Sequence, residues 1–140
     1  MVAAPTATET AMHLHAALIT ALTVVVLGLA VYLVGAARGK HGIPAPAITG
    51  QPDFERAFRA HQNTVEQVVM FLPALWLAAV YGNEQFANVL GYAWIVGRLV
   101  YLYGYIREAG KRSMGFMIGA LAMIGLLILG MQGIIKAMMT

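Results

Sequence analysis

The chain has 140 residues, of which 60% are hydrophobic and 11% charged, and its mean hydropathy is +0.73. Soluble domains carry about a quarter charged residues and about half apolar ones, so the composition excludes an ordinary soluble domain and a disordered chain. The formal net charge of +3 comes from only nine Lys and Arg, which argues against nucleic-acid binding. Without cysteine, disulfides, thiolate metal sites and a cysteine nucleophile are excluded as well. The composition therefore indicates one integral membrane domain covering residues 1–140.

Apolar segments along the chain predict four membrane-spanning helices. The first segment (16–37) and the last (114–135) are nearly continuous apolar runs of about 33 Å at the helical rise, enough for a hydrocarbon core of about 30 Å. The two segments between them are less uniform and are separated by a short polar turn. In the last segment, Gly115 and Gly119 are four residues apart, a spacing typical of close helix packing. The sequence thus predicts an all-α, up-down-up-down bundle of four helices, at about 12–37, 54–81, 87–109 and 113–138.

The distribution of basic residues predicts how the bundle is oriented. Seven of the nine Lys and Arg lie in two regions, the connection between the first two helices and the segment after the third: Arg38, Lys40, Arg56, Arg59, Arg107, Lys111 and Arg112. The short turn after the second helix has no basic residue and carries Glu84. By the positive-inside rule, both basic regions face the cytoplasm and both termini lie on the opposite side.

The second helix carries polar residues where a membrane span should be apolar. To reach about 20 residues it must begin near Gln62, which puts Glu66 about 6 Å inside the cytoplasmic boundary. Asn63 and Arg59 precede Glu66 by three and seven residues, so all three share one helical face. An ionisable group inside a span needs a partner and is by default a candidate functional site.

The third helix offers a matching polar face with Arg98, Tyr101 and Tyr105, again three and four residues apart. Continuing this face by seven residues reaches Arg112, provided that the helix extends past Gly110. A short turn joins the second and third helices, so they must be antiparallel neighbours, and their polar faces lie at the same depth. A cation-rich, hydrogen-bonding site between apolar helices suits an anionic ligand from the cytoplasm beside a lipophilic one from the bilayer.

Each of these residues also has a purely structural interpretation. Arg59 and Arg112 are placed where terminal cations lie among lipid headgroups, and the tyrosines where interfacial aromatic belts occur. Arg98 is too deep for easy access to the headgroups, and a structural ion pair with Glu66 is the main alternative for it.

No metal site is predicted. His13 and His15 are two residues apart and face different sides of a helix, and His61 and Glu66 do not have the spacing of a metal motif.

Two stretches of sequence resemble a known family. The motif R-A-x-x-N-x-x-E at 59–66, followed by F-L-P-A-L-W at 71–76, resembles the helix-two signature of the MAPEG proteins, the membrane-associated proteins in eicosanoid and glutathione metabolism. The stretch R-L-V-Y-L-Y-G-Y at 98–105, followed by Arg112, resembles their helix-three signature. The pattern is most similar to that of the microsomal glutathione transferases and leukotriene-C synthase.

The resemblance implies a homotrimer that binds glutathione between neighbouring subunits near the cytoplasmic face. It implies that Arg112 is catalytic and stabilises the glutathione thiolate. It also implies a set of glutathione-binding residues, with Arg38 at the end of the first helix and His61 at a position where a relative has glutamine: Arg38, Arg59, His61, Asn63, Glu66, Arg98, Tyr101 and Tyr105.

The implied function is conjugation of glutathione, as co-substrate, to lipophilic electrophiles from the membrane, with reduction of lipid hydroperoxides as a further activity at the same site. The non-catalytic relative of this family lacks the arginine and the glutamate of the helix-two motif, and both Arg59 and Glu66 are present here. Two alternatives belong to other classes of protein. One is a lipid-binding or scaffolding protein of the same fold, and the other is a small transporter that uses Glu66 and Arg98 as a gated pair.

Overall fold

The computed structural model describes residues 4, 6–8 and 12–140; the others fall within the polar start of the chain. Over the described residues the secondary structure is entirely helical, which confirms the all-α prediction. The elements are α1 (Leu14–His41), α2 (Pro52–Tyr81), α3 (Glu84–Arg107), a 3₁₀ turn (Ala109–Arg112) and α4 (Ser113–Met138).

Local signals explain where the helices begin and end. α1 continues four residues past its predicted end at 37, until Gly42 adopts a left-handed conformation with φ 63° and donates its N–H back to the helix. Such a conformation is free of steric cost only for glycine. Pro52 occupies the first position of α2, where its missing N–H costs nothing. Asn83 caps α3, with its side chain accepting from the N–H three residues on at 3.1 Å.

All four helices are long and apolar enough to cross a membrane, as predicted. Their most apolar windows have mean hydropathies between 1.3 and 2.6, and even the shortest helix has 24 residues. The outward side chains are apolar too: Val25, Val69 and Leu121 each expose more than 60% of their surface. A surface of this kind matches lipid rather than water as its solvent.

α3 and α4 approach each other closely through glycines. A Cβ atom on Gly115 would lie 2.6 Å from the carbonyl oxygen of Gly97, and one on Gly97 would lie 2.9 Å from the amide nitrogen of Gly119. Both separations are below any real Cβ contact. The backbones therefore meet directly, as expected where small residues rather than a hydrophobic driving force bring helices together in lipid.

The interior combines aromatic packing with a few polar contacts. The rings of Phe71 (α2) and Trp94 (α3) stack with centroids 3.8 Å apart and planes within 5°. Trp76 donates from Nε1 to the hydroxyl oxygen of Thr20 in α1 at 3.0 Å. At the end of the bundle where α2 begins and α3 ends, Arg56 donates from Nε to the carbonyl oxygen of Ile106 at 3.2 Å.

Candidate active site

A polar cavity of about 260 Å³ lies where α2 begins and α3 ends. Three elements supply its walls: the first half of α2, the last turns of α3 and the 3₁₀ turn that follows. The lining residues are Arg59, Gln62, Asn63, Glu66, Tyr101, Tyr105 and Arg112. Six of these seven belong to the set that the sequence analysis singled out.

The wall from α2 is one helical face. Arg59, Asn63 and Glu66 line the cavity at the expected three- and four-residue intervals. Arg59 and Glu66 are exposed and Asn63 is half-buried, so this wall can exchange its water for a polar ligand. Gln62 is the lining residue that sequence reasoning missed. Its position, three residues after Arg59 and four before Glu66, is the sequence feature that predicts a place near the same face of α2.

Arg98 lies beneath the cavity rather than in its wall. Its side chain is fully buried, and Nη1 donates to the side-chain oxygen of Asn63 at 3.2 Å. Its Nε and Nη2 have no hydrogen-bond partner within the described structure. The guanidinium carbon lies 4.0 Å from the centre of the Tyr101 ring, within cation–π range. Arg98 therefore holds Asn63 and Tyr101 in position from below.

The ion pair considered between Glu66 and Arg98 is not among the salt bridges of the described residues. The contact to Asn63 explains why. Asn63 is almost one turn closer to the start of α2 than Glu66, and the long Arg98 side chain reaches that level.

The two tyrosines and two arginines form a continuous row of contacts. Tyr101 is 2% exposed and Tyr105 is half-buried, and their ring centroids are 5.5 Å apart. Arg112 faces the Tyr105 ring from the open side, with its guanidinium carbon 5.1 Å from the ring centre. The order is thus Arg98, Tyr101, Tyr105, Arg112, from the buried interior to the mouth of the cavity.

Arg112 reaches the cavity by a different route from the one predicted. α3 ends at Arg107, two residues before its predicted end, so the helical face does not continue. Glu108 is extended (φ −161°, ψ 126°), and the 3₁₀ turn then brings Arg112 back over Tyr105 immediately before α4 begins. The 3₁₀ turn takes the place of a further turn of α3, so Arg112 still contacts Tyr105, seven residues earlier in the chain.

Besides Arg98, two predicted site residues do not line the cavity: Arg38 and His61. Arg38 donates from Nη1 to the carbonyl oxygen of Ala47 at 2.7 Å and stacks on the Phe54 ring at 4.6 Å, so it fastens the connection between α1 and α2. His61 is half-buried on another face of α2. The polar cavity, as the described residues form it, is therefore built without these two side chains.

Comparison with known proteins decides the family. The model of the MAPEG family matches residues 16–131, a range that contains every residue of the cavity. The chain belongs to the MAPEG family. Together with the four apolar helices, this makes it a multi-pass integral membrane protein.

Three relatives illustrate the range of similarity. An uncharacterized protein of Synechocystis sp. is 47% identical over 106 residues, covering 76% of this chain and 77% of the relative. Human microsomal glutathione S-transferase 2 is 48% identical over 96 residues, covering 67% of this chain and 65% of the relative. Leukotriene C4 synthase of Cavia porcellus is 38% identical over 99 residues, covering 71% and 66%.

The polar cavity of this MAPEG protein continues into a larger one of about 480 Å³ beside the connection between α1 and α2. The two cavities share Arg59, Gln62 and Tyr105. The larger one adds a mixed lining with Ile48 and Phe58 on the apolar side. The combined space is long, polar at the Glu66 end and partly apolar at the loop end.

The described residues contain no group of three or more His, Cys, Asp or Glu that could hold a metal ion. The lining of the polar cavity offers guanidinium, carboxylate, amide and phenol groups.

Proposed function

We propose that this MAPEG protein is a membrane-bound glutathione transferase that conjugates glutathione to lipophilic electrophiles. The observation that carries the proposal is the polar cavity, which gathers two guanidinium groups, a carboxylate, two amides and two phenols at the edge of an apolar bundle. The name of the human relative, microsomal glutathione S-transferase 2, agrees with this chemistry.

The groups of the cavity complement those of glutathione, which carries two carboxylates, one ammonium, two peptide groups and a thiol. Arg59 pairs with a carboxylate through a charge-assisted hydrogen bond. Glu66 pairs with the ammonium group, and Asn63 and Gln62 offer amide donors and acceptors to the peptide groups. Arg98 acts indirectly, by holding Asn63 at 3.2 Å.

Arg112 is the proposed catalytic residue. A free thiol has a pKa of about 8.5 and is mostly protonated at neutral pH, whereas the thiolate is the nucleophile. A guanidinium next to the sulfur lowers the pKa of the thiol, and each unit corresponds to about 1.4 kcal/mol. The thiol proton leaves to water, the sulfur forms a bond to the electrophilic carbon, and the leaving group departs with its electron pair. The site contributes mainly by positioning the sulfur beside a substrate that arrives through the lipid.

A lipid hydroperoxide is a second class of substrate for the same thiolate. The sulfur attacks the terminal oxygen, the O–O bond breaks, and the lipid alcohol is released. A second glutathione then forms glutathione disulfide, and the hydroperoxide oxygen leaves as water.

The proposed assembly is a homotrimer of up-down-up-down bundles, with the cavity near the cytoplasmic face and both termini on the other side. The end contacts support this arrangement of helices, because Arg56 at the start of α2 meets Ile106 at the end of α3. The exposure of Glu66 supports a site that a neighbouring subunit completes. Arg38, which does not line the polar cavity of its own chain, is the cation that a neighbour would contribute.

The test is conjugation by the purified protein in lipid nanodiscs, with glutathione and a lipophilic aryl halide, and with the product identified by mass spectrometry. The expected result is a glutathione adduct formed faster than in empty nanodiscs, and a strong loss of rate in Glu66→Gln. Lipid binding without any turnover would instead favour the scaffolding protein. Glutathione-independent solute flux in proteoliposomes would favour the transporter.

A further inference from the structure

A second charged cavity lies beside the proposed glutathione site, at the same end of the bundle. Its volume is about 330 Å³, and it opens between the end of α1, the start of α2 and the end of α3. The charged and titratable side chains of its lining are Lys40, His41, Asp53, Arg56 and Arg107. It shares no lining residue with the polar cavity and one, Arg56, with the larger cavity that adjoins the polar one.

The charges of this cavity do not cancel. Asp53 is its single carboxylate, and both of its oxygens are engaged: Oδ1 accepts from Arg56, and Oδ2 lies 3.9 Å from Lys40 Nζ. Arg107 lies over the ring of Tyr103 at 4.6 Å and forms none of the salt bridges between described residues. Three cationic side chains against one carboxylate leave a formal charge of +2 with His41 neutral.

One polar atom in the wall has no hydrogen-bond partner. His41 Nε2 is buried and lies 3.6 Å from Asp53 Oδ2, too far for a hydrogen bond. Buried polar atoms are nearly always hydrogen-bonded, so an unpaired one indicates a missing partner. An oxygen acceptor in the cavity would supply that partner.

The floor of the cavity is apolar and leads into the membrane. It is formed by Leu33, Ala36, Ala37, Ala57 and Ile106. Leu33, Ala36 and Lys40 follow one another at helical spacing on a single face of α1, so an apolar stripe runs from the cation towards the bilayer centre. A cationic rim above an apolar groove matches an amphiphilic anion with a hydrocarbon tail.

We infer that this cavity, defined by Lys40, His41, Arg56 and Arg107, is a binding site for the headgroup of an anionic glycerophospholipid. The phosphodiester accepts from the cations at the rim, and one acyl chain lies along the apolar stripe of α1. Basic pockets between membrane helices bind acidic lipids through the same combination of charge and groove. Inorganic phosphate shares the chemistry of the headgroup, but it has no hydrocarbon chain that could contact the apolar floor.

Native mass spectrometry of the full-length protein in a non-ionic detergent tests this inference, with phosphatidylglycerol and phosphatidylcholine of identical acyl chains as probes. The expected result is retention of phosphatidylglycerol at least about tenfold over phosphatidylcholine. Lys40→Gln and Arg107→Gln should each lower this preference about fivefold. Lys136→Gln, at the far end of α4 and outside the cavity, is the matched control and should leave the preference unchanged.

A further variant is expected to change the lipid preference in the opposite direction. Asp53 is the anion with which a lipid phosphate must compete, so Asp53→Asn should raise the preference for phosphatidylglycerol. A fall would show that the cations serve Asp53 alone and would contradict the inference.

Equal retention of both lipids would overturn the inference, and so would an effect of Lys136→Gln as large as that of Lys40→Gln. Complete displacement of the lipid by millimolar inorganic phosphate would overturn it too. The fourth contradicting outcome is that Lys40→Gln and Arg107→Gln change the number of subunits but leave the lipid preference unchanged. Glutathione turnover of the Lys40→Gln and Arg107→Gln variants, measured alongside, should equal that of the wild type.

Discussion

At the scale of single residues, Arg112 occupies the position with the clearest chemical consequence. It faces Tyr105 at the mouth of the cavity, and it is held by a turn rather than by a helix. If it stabilises the thiolate, Arg112→Ala should lower kcat about tenfold or more at neutral pH while KM for glutathione changes little. The lost rate should return in part as the pH rises, because the thiol with its raised pKa then ionises. The measurement is a pH profile of kcat and KM for both proteins.

Lys136→Ala is the control for that profile, since it removes a cation far from the cavity. If Arg112 were only an interfacial anchor, its removal would reduce the yield of folded protein and leave turnover per folded protein normal.

The wall from α2 makes a second residue-scale prediction. Arg59→Ala, Asn63→Ala and Glu66→Ala should each weaken glutathione binding by about 1.5–3 kcal/mol, because each removes a hydrogen bond that involves a charged group or a positioned amide. Isothermal titration calorimetry with glutathione measures the effect. Gln67→Ala, next to Glu66 but outside the cavity lining, is the matched control. Unchanged glutathione affinity in all three variants would show that this face of α2 does not bind glutathione.

The positions of these side chains were only partly predictable from sequence. Helical spacing correctly gathers Arg59, Asn63 and Glu66 in one wall, because residues three and four apart share a face. It does not give the partner of Arg98, since side-chain length decides which level of α2 the guanidinium reaches. Nor does it give the contact of Arg38 with Ala47, which depends on the path of a proline-rich loop.

At the scale of elements, the α3–α4 contact is the one most sensitive to side-chain volume. Gly115→Ala places a methyl group 2.6 Å from the carbonyl oxygen of Gly97, so the helices must separate. We expect a loss of about 1–3 kcal/mol in the free energy of unfolding. Gly35→Ala, where nothing lies within 4 Å, should not lower it, and slightly raised stability is expected from helix propensity. Thermal unfolding in detergent compares the two; equal melting temperatures would contradict the close approach.

The elements themselves follow from the sequence more completely than the contacts do. Apolar length fixes four helices able to span a membrane, since no shorter segment meets the thickness of the bilayer. The end of α3 is harder to predict from sequence. The chain between Arg107 and α4 forms a 3₁₀ turn, which hydropathy does not distinguish from a further turn of α-helix. The approach of Gly115 to Gly97 was partly indicated by the spacing of Gly115 and Gly119, whereas the partner helix was not.

At the scale of the whole molecule, the proposal requires more than one subunit. Glu66 is exposed, and Arg38 binds Ala47 and does not line the polar cavity of its own chain. Native mass spectrometry in mild detergent should therefore detect a trimer, and dissociation to monomers should abolish glutathione conjugation. A monomer that retains full turnover would contradict the shared site.

We expect this MAPEG protein to bind glutathione and to ionise its thiol, and both are measurable without knowing the electrophile. The direct measurement is the ultraviolet absorbance of the thiolate when glutathione is added to the purified protein at a pH near 6.5, well below the ordinary thiol pKa of about 8.5. We predict a saturable thiolate signal in the wild type and in Lys136→Ala, and a much smaller one in Arg112→Ala at the same pH. A signal no larger than that of free glutathione, at concentrations where binding is saturated, would show that the protein does not stabilise the thiolate.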